Sequence, residues 1–405
     1  MRKLFSIILV IFISTGIVAQ KAAKMDKKLF LENLMATQPQ FFKSLVAEKD
    51  QLRLHIIYTQ IHRNKKNKPS FSNYYFNQNP PAYFYPASTV KMPIAFLALE
   101  KLNELNISGL DMHSTMITDA ANSYQSAVFT HPMAKDSRPT IAHYIKQIFL
   151  VSDNDAFNRL YEFLGQEYIQ KKLKEKGYGN AVIRHRLQIS LPTEQNSITN
   201  PIRFYDTSGR LLYEQPVTYS NAVFTSQKIS LGNGFYKNGK LVNEPFDFSE
   251  KNNVLLADLH SMLQSVLFPE SVTAKKRFKL NTNDYAFLRK WMSAYPAESD
   301  YPNYPSPEYW DTYCKFLFYG SEKVKPQSNI KIFNKVGDAY GFLTDVAYIT
   351  DSVNNVEFML SATILCNKDG IFNDNQYDYD TIGFPFMKQL GKLMYDYELK
   401  RKKRN

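Results

Sequence analysis

Cysteine is nearly absent from this chain: Cys314 and Cys366 are the only two in 405 residues. That excludes a small core stapled by many disulfides. In an exported protein the two could pair, but nothing in the sequence fixes their separation, and two ordinary core or strand cysteines are expected. Histidine is also sparse. The seven are scattered, with no H-E-x-x-H or similar ligand spacing, so no metal site is expected. His185 and His260 read as surface or packing residues. After the first residues no apolar run is long enough to span a bilayer. No internal repeat and no recognised nucleic-acid module is visible.

The start of the chain has the pattern of an export signal. Arg2 and Lys3 precede the apolar stretch Leu4 to Ile13, and cleavage after Ala19 would leave Gln20 first. Residues 1–19 are therefore expected to be a signal peptide and the mature protein to be periplasmic or secreted. No cysteine near that point offers a lipid anchor; an uncleaved anchor is the alternative. The net charge is +12, from 50 basic and 38 acidic side chains. Part of the excess lies in Lys400-Arg401-Lys402-Lys403-Arg404, read as a solvated basic tail or a contact with an anionic envelope.

What the chain does have is Ser88-Thr89-Val90-Lys91 at the mouth of a long apolar helix pattern, Met92 to Leu102. Residues three apart share a helix face, so Lys91 would stand beside Ser88. A lysine that is desolvated, or crowded by other cations, can lose its proton and activate a serine hydroxyl. A second match, Ser328-Asn329-Ile330-Lys331, runs into a strand pattern. There, positions three apart point to opposite faces, so Ser88 is the candidate.

Two more short motifs follow in order. Ser152-Asp153-Asn154 follows the apolar run Ile148 to Val151 and opens another helical pattern; by itself it is also an ordinary helix cap. Lys335-Val336-Gly337 sits between two strand-like runs, Asn329 to Phe333 and Phe342 to Thr350. The copies Lys237-Asn238-Gly239 and Lys368-Asp369-Gly370 are turn signals instead.

The ordered set resembles the penicillin-recognising serine hydrolases, and most closely their class A β-lactamase branch, whose signature is S-x-x-K, S-D-N and K-T-G. Asp345-Val346-Ala347 is similar to the family's following strand, and Phe287 to Met292 to its helix ending in Trp-Met. The resemblance covers roughly residues 40 to 400. It implies an α/β (α+β) fold of two lobes, an antiparallel sheet from both chain ends with flanking helices and an all-helical lobe. Residues 20–400 would form one catalytic domain with a β-rich insertion at about 201–250, and 401–405 the tail. It also implies roles. Ser88 would be the nucleophile, Lys91 its base and Ser152 a proton relay. Asn154 and Lys335 would hold substrate, and the backbone N–H groups of Ser88 and of Asp338, after Gly337, would meet the oxyanion.

Two departures stand out. Val336 replaces the usual hydroxyl residue between lysine and glycine. The water-activating glutamate falls at Gln188 by one alignment and at Glu194 by a looser one. Three readings stay open: a secreted β-lactam-hydrolysing enzyme, with the antibiotic resistance that implies; an acyl-transfer enzyme acting on cell-wall peptides or other esters and amides; and an idle binding protein on the same fold. The expected partner is a small molecule or peptide, and the expected state a monomer.

Along the chain, Lys27 to Lys49 reads as one helix and Leu52 to Thr59 as a strand. Residues 105–150 and 155–177 read as mostly helical. Hairpin signals follow at Phe204 to Tyr213 and Gly234 to Val242, and helices at Val254 to Leu267 and Thr282 to Met292. Tyr301 to Pro307 is a proline-broken loop.

Overall fold

The computed structural model describes residues 27–78, 81–224 and 227–401. The expected signal at 1–19 and the tail beyond Arg401 lie outside the described residues. Among the described residues, no helix is long and apolar enough to cross a membrane.

The principal sheet joins the two ends of the chain. Its strands are β1 (His55–Arg63), β2 (Pro69–Phe76), β3 (Ile330–Ala339), β4 (Phe342–Asp351) and β5 (Val356–Leu365), ordered β3-β4-β5-β1-β2. Every pairing is antiparallel. Alternate residues of β1 feed different cores, as the two-residue period requires. Ile56 and Tyr58 join the cluster under the terminal helices, and Ile57 and Ile61 join the one facing the helical lobe.

The terminal helices α1 (Phe30–Met35), α2 (Pro39–Ala47) and the long C-terminal helix lie on the first side. The single helix expected over 27–49 is thus two, because Pro39 starts a new one. On the other side stand α3 (Lys91–Leu105), α4 (Ile141–Val151), α5 (Asn154–Leu164), α6 (Gln166–Glu175), α7 (Leu256–Leu267) and α8 (Thr282–Ser293). The C-terminal helix, Phe384–Lys400, is α9.

Helix α3 is apolar around most of its circumference, and its residues from Lys91 to Glu100 are all buried. That is the signature of a helix passing through a core. Pro93, at its third position, costs no intrahelical bond. Residues 106–140 are not the helix expected. They run as irregular chain around a short strand, Thr115–Thr118. The buried Met112 and Met116 pack inward from a turn and from the strand respectively.

The insertion holds both expected hairpins, Ile202–Tyr205 with Leu211–Gln215 and Gly234–Lys237 with Lys240–Val242. Cys314 and Cys366 are free and buried. His260 is a packing residue. Its ring bridges α7 to the sheet, with Nε2 2.8 Å from Thr59 Oγ1 and Nδ1 2.7 Å from Ser361 Oγ. Arg401 is no free tail residue: its guanidinium donates to the buried Glu398 carboxylate and to Ile61 O.

Candidate active site

Ser88 lies in a 3₁₀ turn, Ala87–Val90, that runs directly into α3. Residues three apart eclipse each other in such a turn, so the pairing expected of a helix is kept. Lys91 Nζ is 2.7 Å from Ser88 Oγ. Lys91 has no solvent exposure, and its other partners are Asn154 Oδ1 at 2.7 Å, Ser152 Oγ at 3.3 Å and Ser152 O. Burial above all, and then the nearby Lys335 cation, push its pKa well below the usual lysine range. A neutral amine beside a serine hydroxyl can take its proton.

Ser152 and Asn154 are placed by two abutting helix ends. Ser152 caps the C-terminus of α4 in the left-handed region, φ 62°. Asp153 caps α5 by accepting a hydrogen bond from Ala156 N. Asp153 therefore does the capping, while Ser152 and Asn154 turn toward Lys91.

Lys335 and Gly337 arrive from across the cleft on β3. Lys335 Nζ donates to Ser152 Oγ at 2.8 Å and to Val336 O at 2.8 Å. It is 2% exposed, and burial lowers its pKa to about 8 against the raising influence of Cys314, Asp338 and Asp345. So the Lys335 ammonium is spent on Ser152, and it stands behind the cleft wall rather than in it. Gly337 meets the nucleophile's own backbone. A Cβ there would lie 2.8 Å from Pro86 O, Ser88 N and Thr89 N, so only glycine lets the strand come this close. Asp338 follows, exposed at the cleft surface; desolvation by the surrounding protein raises its carboxyl pKa on balance, against the lowering Lys335 and Lys91 charges. Val336 lines the cleft but is 1% exposed and belongs to the sheet core.

Ser88, Asn154, Gln188 and Asp338 line two adjoining cavities of about 790 and 710 Å³. Of the two candidates for the water-activating position, the structure brings Gln188 into the cleft. Its Oε1 accepts from Asn154 Nδ2 at 2.9 Å, and its backbone is held at φ 64°. Glu194 is absent from both cavity linings and sits exposed on the short helix Thr193–Ser197. That corrects the looser alignment: the helix turns Asn196 inward, to bond Arg186 and Leu191, and leaves Glu194 outward.

Several neighbours had no sequence signal. Cys314 lines the first cavity together with Tyr309, Trp310 and Tyr313. Tyr309 and Trp310 pack edge-on against Tyr313 at 5.3 and 4.9 Å between centroids. Behind β3, Lys315 Nζ donates to Met292 O, Ile332 O and Asn334 Oδ1, while Asn334 Nδ2 donates to the buried Asp345. Among the described residues, no group of three or more His, Cys, Asp or Glu side chains could hold a metal ion.

Residues 43–219 match a family described as the beta-lactamase enzyme family, a span that contains Ser88, Lys91, Ser152 and Asn154. A comparison with curated proteins gives no match. Among solved structures, a beta-lactamase from Xanthomonas campestris is 14% identical, covering 87% of this chain and 97% of its own, with a TM-score of 0.47. A class A beta-lactamase from Clostridium kluyveri is also 14% identical, covering 88% and 97%, TM-score 0.47. The protein PBP-A is 14% identical over 88% and 96%, TM-score 0.46.

Proposed function

We propose that this chain, which over residues 43–219 matches the beta-lactamase enzyme family, is an exported serine acyl-transfer enzyme that takes β-lactams or cell-wall peptides onto Ser88 and releases them slowly. The observation that carries the acylation half is the 2.7 Å contact between Ser88 Oγ and a fully buried Lys91 amine. The slow release rests on Gln188, an amide that cannot act as a base, standing where the cleft would need a carboxylate.

The steps follow from the contacts. Neutral Lys91 takes the Ser88 proton as Oγ attacks the carbonyl carbon. The oxygen of the tetrahedral intermediate is met by the backbone N–H groups of Ser88 and Asp338; one such donor is typically worth about 10²–10³ in rate. Ser152 Oγ gives its proton to the leaving nitrogen and is resupplied through Lys335 and Lys91, both within hydrogen-bond reach. Asn154 orients the substrate amide. No step calls on a metal or an organic cofactor.

Intact-mass time courses with a penicillin test the proposal. The expected result is a stable mass increase on Ser88 that Ser88→Ala abolishes. In Gln188→Glu the adduct should decay at least about tenfold faster, since a placed general base contributes about 10²–10⁴-fold. Rapid turnover by the parent would favour the β-lactamase reading, and no labelling at all would favour the idle binding protein. Export is tested by sequencing the mature N-terminus, expected at Gln20.

A further inference from the structure

The two cavities share Ser88, Asn154, Gln188, Asp338, Asp380 and Phe384, so the nucleophile stands at the junction of one bent groove. The first arm carries Tyr309, Trp310 and Tyr313. The second is walled by Tyr85, Tyr340, Asn373, Asn375 and Tyr377. A compact bicyclic lactam needs only one of these arms.

The second arm is held from behind by the insertion. Strand Gly234–Lys237 pairs in parallel with Ile371 and Phe372, and Asn233 N donates to Gly370 O at 2.8 Å. Gly232 packs so close to Gly370 O and the Phe372 ring that a Cβ would lie 2.4 and 2.6 Å from them. Phe246 then links the insertion to the wall: its ring is 4.9 Å from Phe248, 5.8 Å from Phe372 and 5.4 Å from Tyr340. Tyr340 in turn packs edge-on against Tyr85 at 5.0 Å. Asp338 and Asp380 stand at the junction and so line both arms; among the described residues the first arm also has Lys388 and Glu322, whereas no lysine or arginine lines the second, although Lys251 Nζ lies 5.6 Å from the Tyr340 ring that walls it.

We infer that the insertion, chiefly residues 229–248, is a specificity element: it fixes the loop around 370–377 and so maintains a second arm that takes the amine- or amide-bearing part of an acyl donor running past Ser88 on both sides. This inference rests on the acyl-transfer reading of Ser88. Asparagine amides and tyrosine hydroxyls suit a peptide backbone, and the two carboxylates favour an amine over a carboxylate. Phe246 acts as a positioning residue, since it is not itself part of the lining.

The test compares Ser88 acylation by penicillin and by three matched peptide thioesters, whose residue next to the reacting carbonyl carries a lysine amine, its acetylated form or a glutamate. The parent should prefer the amine over the glutamate by about tenfold, the effect of one additional favourable charge contact. Phe246→Ala should cut that preference to about threefold or less, with its penicillin rate within about twofold of the parent's. Asp380→Lys leaves the aromatic prop in place and should reverse the preference, which keeps the inference testable if Phe246→Ala fails to fold. Equal rates for the three thioesters in the parent would overturn the inference. So would a uniform loss across penicillin and all thioesters in Phe246→Ala. Absence of Ser88 labelling by every probe, penicillin included, would instead remove the acyl-transfer reading, and this inference with it.

Discussion

Lys91, Lys335 and Lys315 are buried alike, at 0, 2 and 1% exposure, yet they occupy two different kinds of surroundings. Behind the sheet, Lys315 donates to three amide oxygens: Met292 O, Ile332 O and Asn334 Oδ1. None of these has a proton to exchange. In the cleft, Lys91 and Lys335 share the Ser152 hydroxyl, and Lys91 also holds Ser88. Burial lowers both Lys315 and Lys335 to about 8, so a depressed pKa does not separate them. What separates them is the acceptor. A lysine bonded to hydroxyls can pass protons, and one bonded to carbonyls can only hold structure.

Substitutions at the three lysines should divide along that line. Lys91→Met is expected to lower Ser88 acylation by about 10²–10⁴-fold, the range for losing a positioned general base, with far-UV circular dichroism unchanged. A parent-like rate would mean that Lys91 is as inert as Lys315.

Gly337→Ala should come next. Its Cβ would have to displace the turn that carries Ser88, and a misplacement of about 1 Å can cost about 10²-fold. A stopped-flow acylation assay reads the loss, and an unchanged rate would show that the strand need not approach the nucleophile.

The third effect is a shift in pH rather than a loss. Lys91 takes the serine proton only when neutral, so acylation should rise with pH through the Lys91 titration, which lies well below the ordinary lysine value. The Lys335 cation is one cause of that lowering. Removing it in Lys335→Met should raise the Lys91 pKa and move the acidic limb of the pH–rate profile to higher pH. A limb that stays put would separate the two lysines electrically.

The smallest effect on rate belongs to Lys315→Met. Leaving its buried carbonyl and amide acceptors unsatisfied should cost roughly 1–3 kcal/mol of stability for each one stranded. Denaturant melts would show this, while the acylation rate of the folded enzyme stays unchanged. A loss of rate at full stability would place Lys315 in the chemistry.

The same contrast explains what could be read from the sequence. Ser88 and Lys91 were legible because three residues of a helical turn set their distance. Ser152 and Asn154 were legible because a cap motif between two apolar helices has little freedom. The sheet strands showed in their β-branched and aromatic runs. The Lys315 network was not legible, because it joins Met292, Ile332, Asn334 and Asp345 across separate elements and has no local pattern. Gln188 and Glu194 could not be told apart because residues 181–192 form a loop without periodicity, so no register linked them to the cleft. The stretch 106–140 was expected to be mostly helical from its periodicity, but it runs as irregular chain around the strand Thr115–Thr118.

The sheet's connectivity also sets an order in time. Strand β1 has His55 opposite Thr363 and Gln60 opposite Phe358, so an early strand waits for the last one to pair. Contacts this distant in sequence form late and slowly. A nascent chain that has reached residue 329 already contains Ser88, Lys91, Ser152 and Asn154, but neither Lys335 nor Gly337. The nucleophile is therefore synthesised long before the groups that complete its surroundings, which follow only after residue 329.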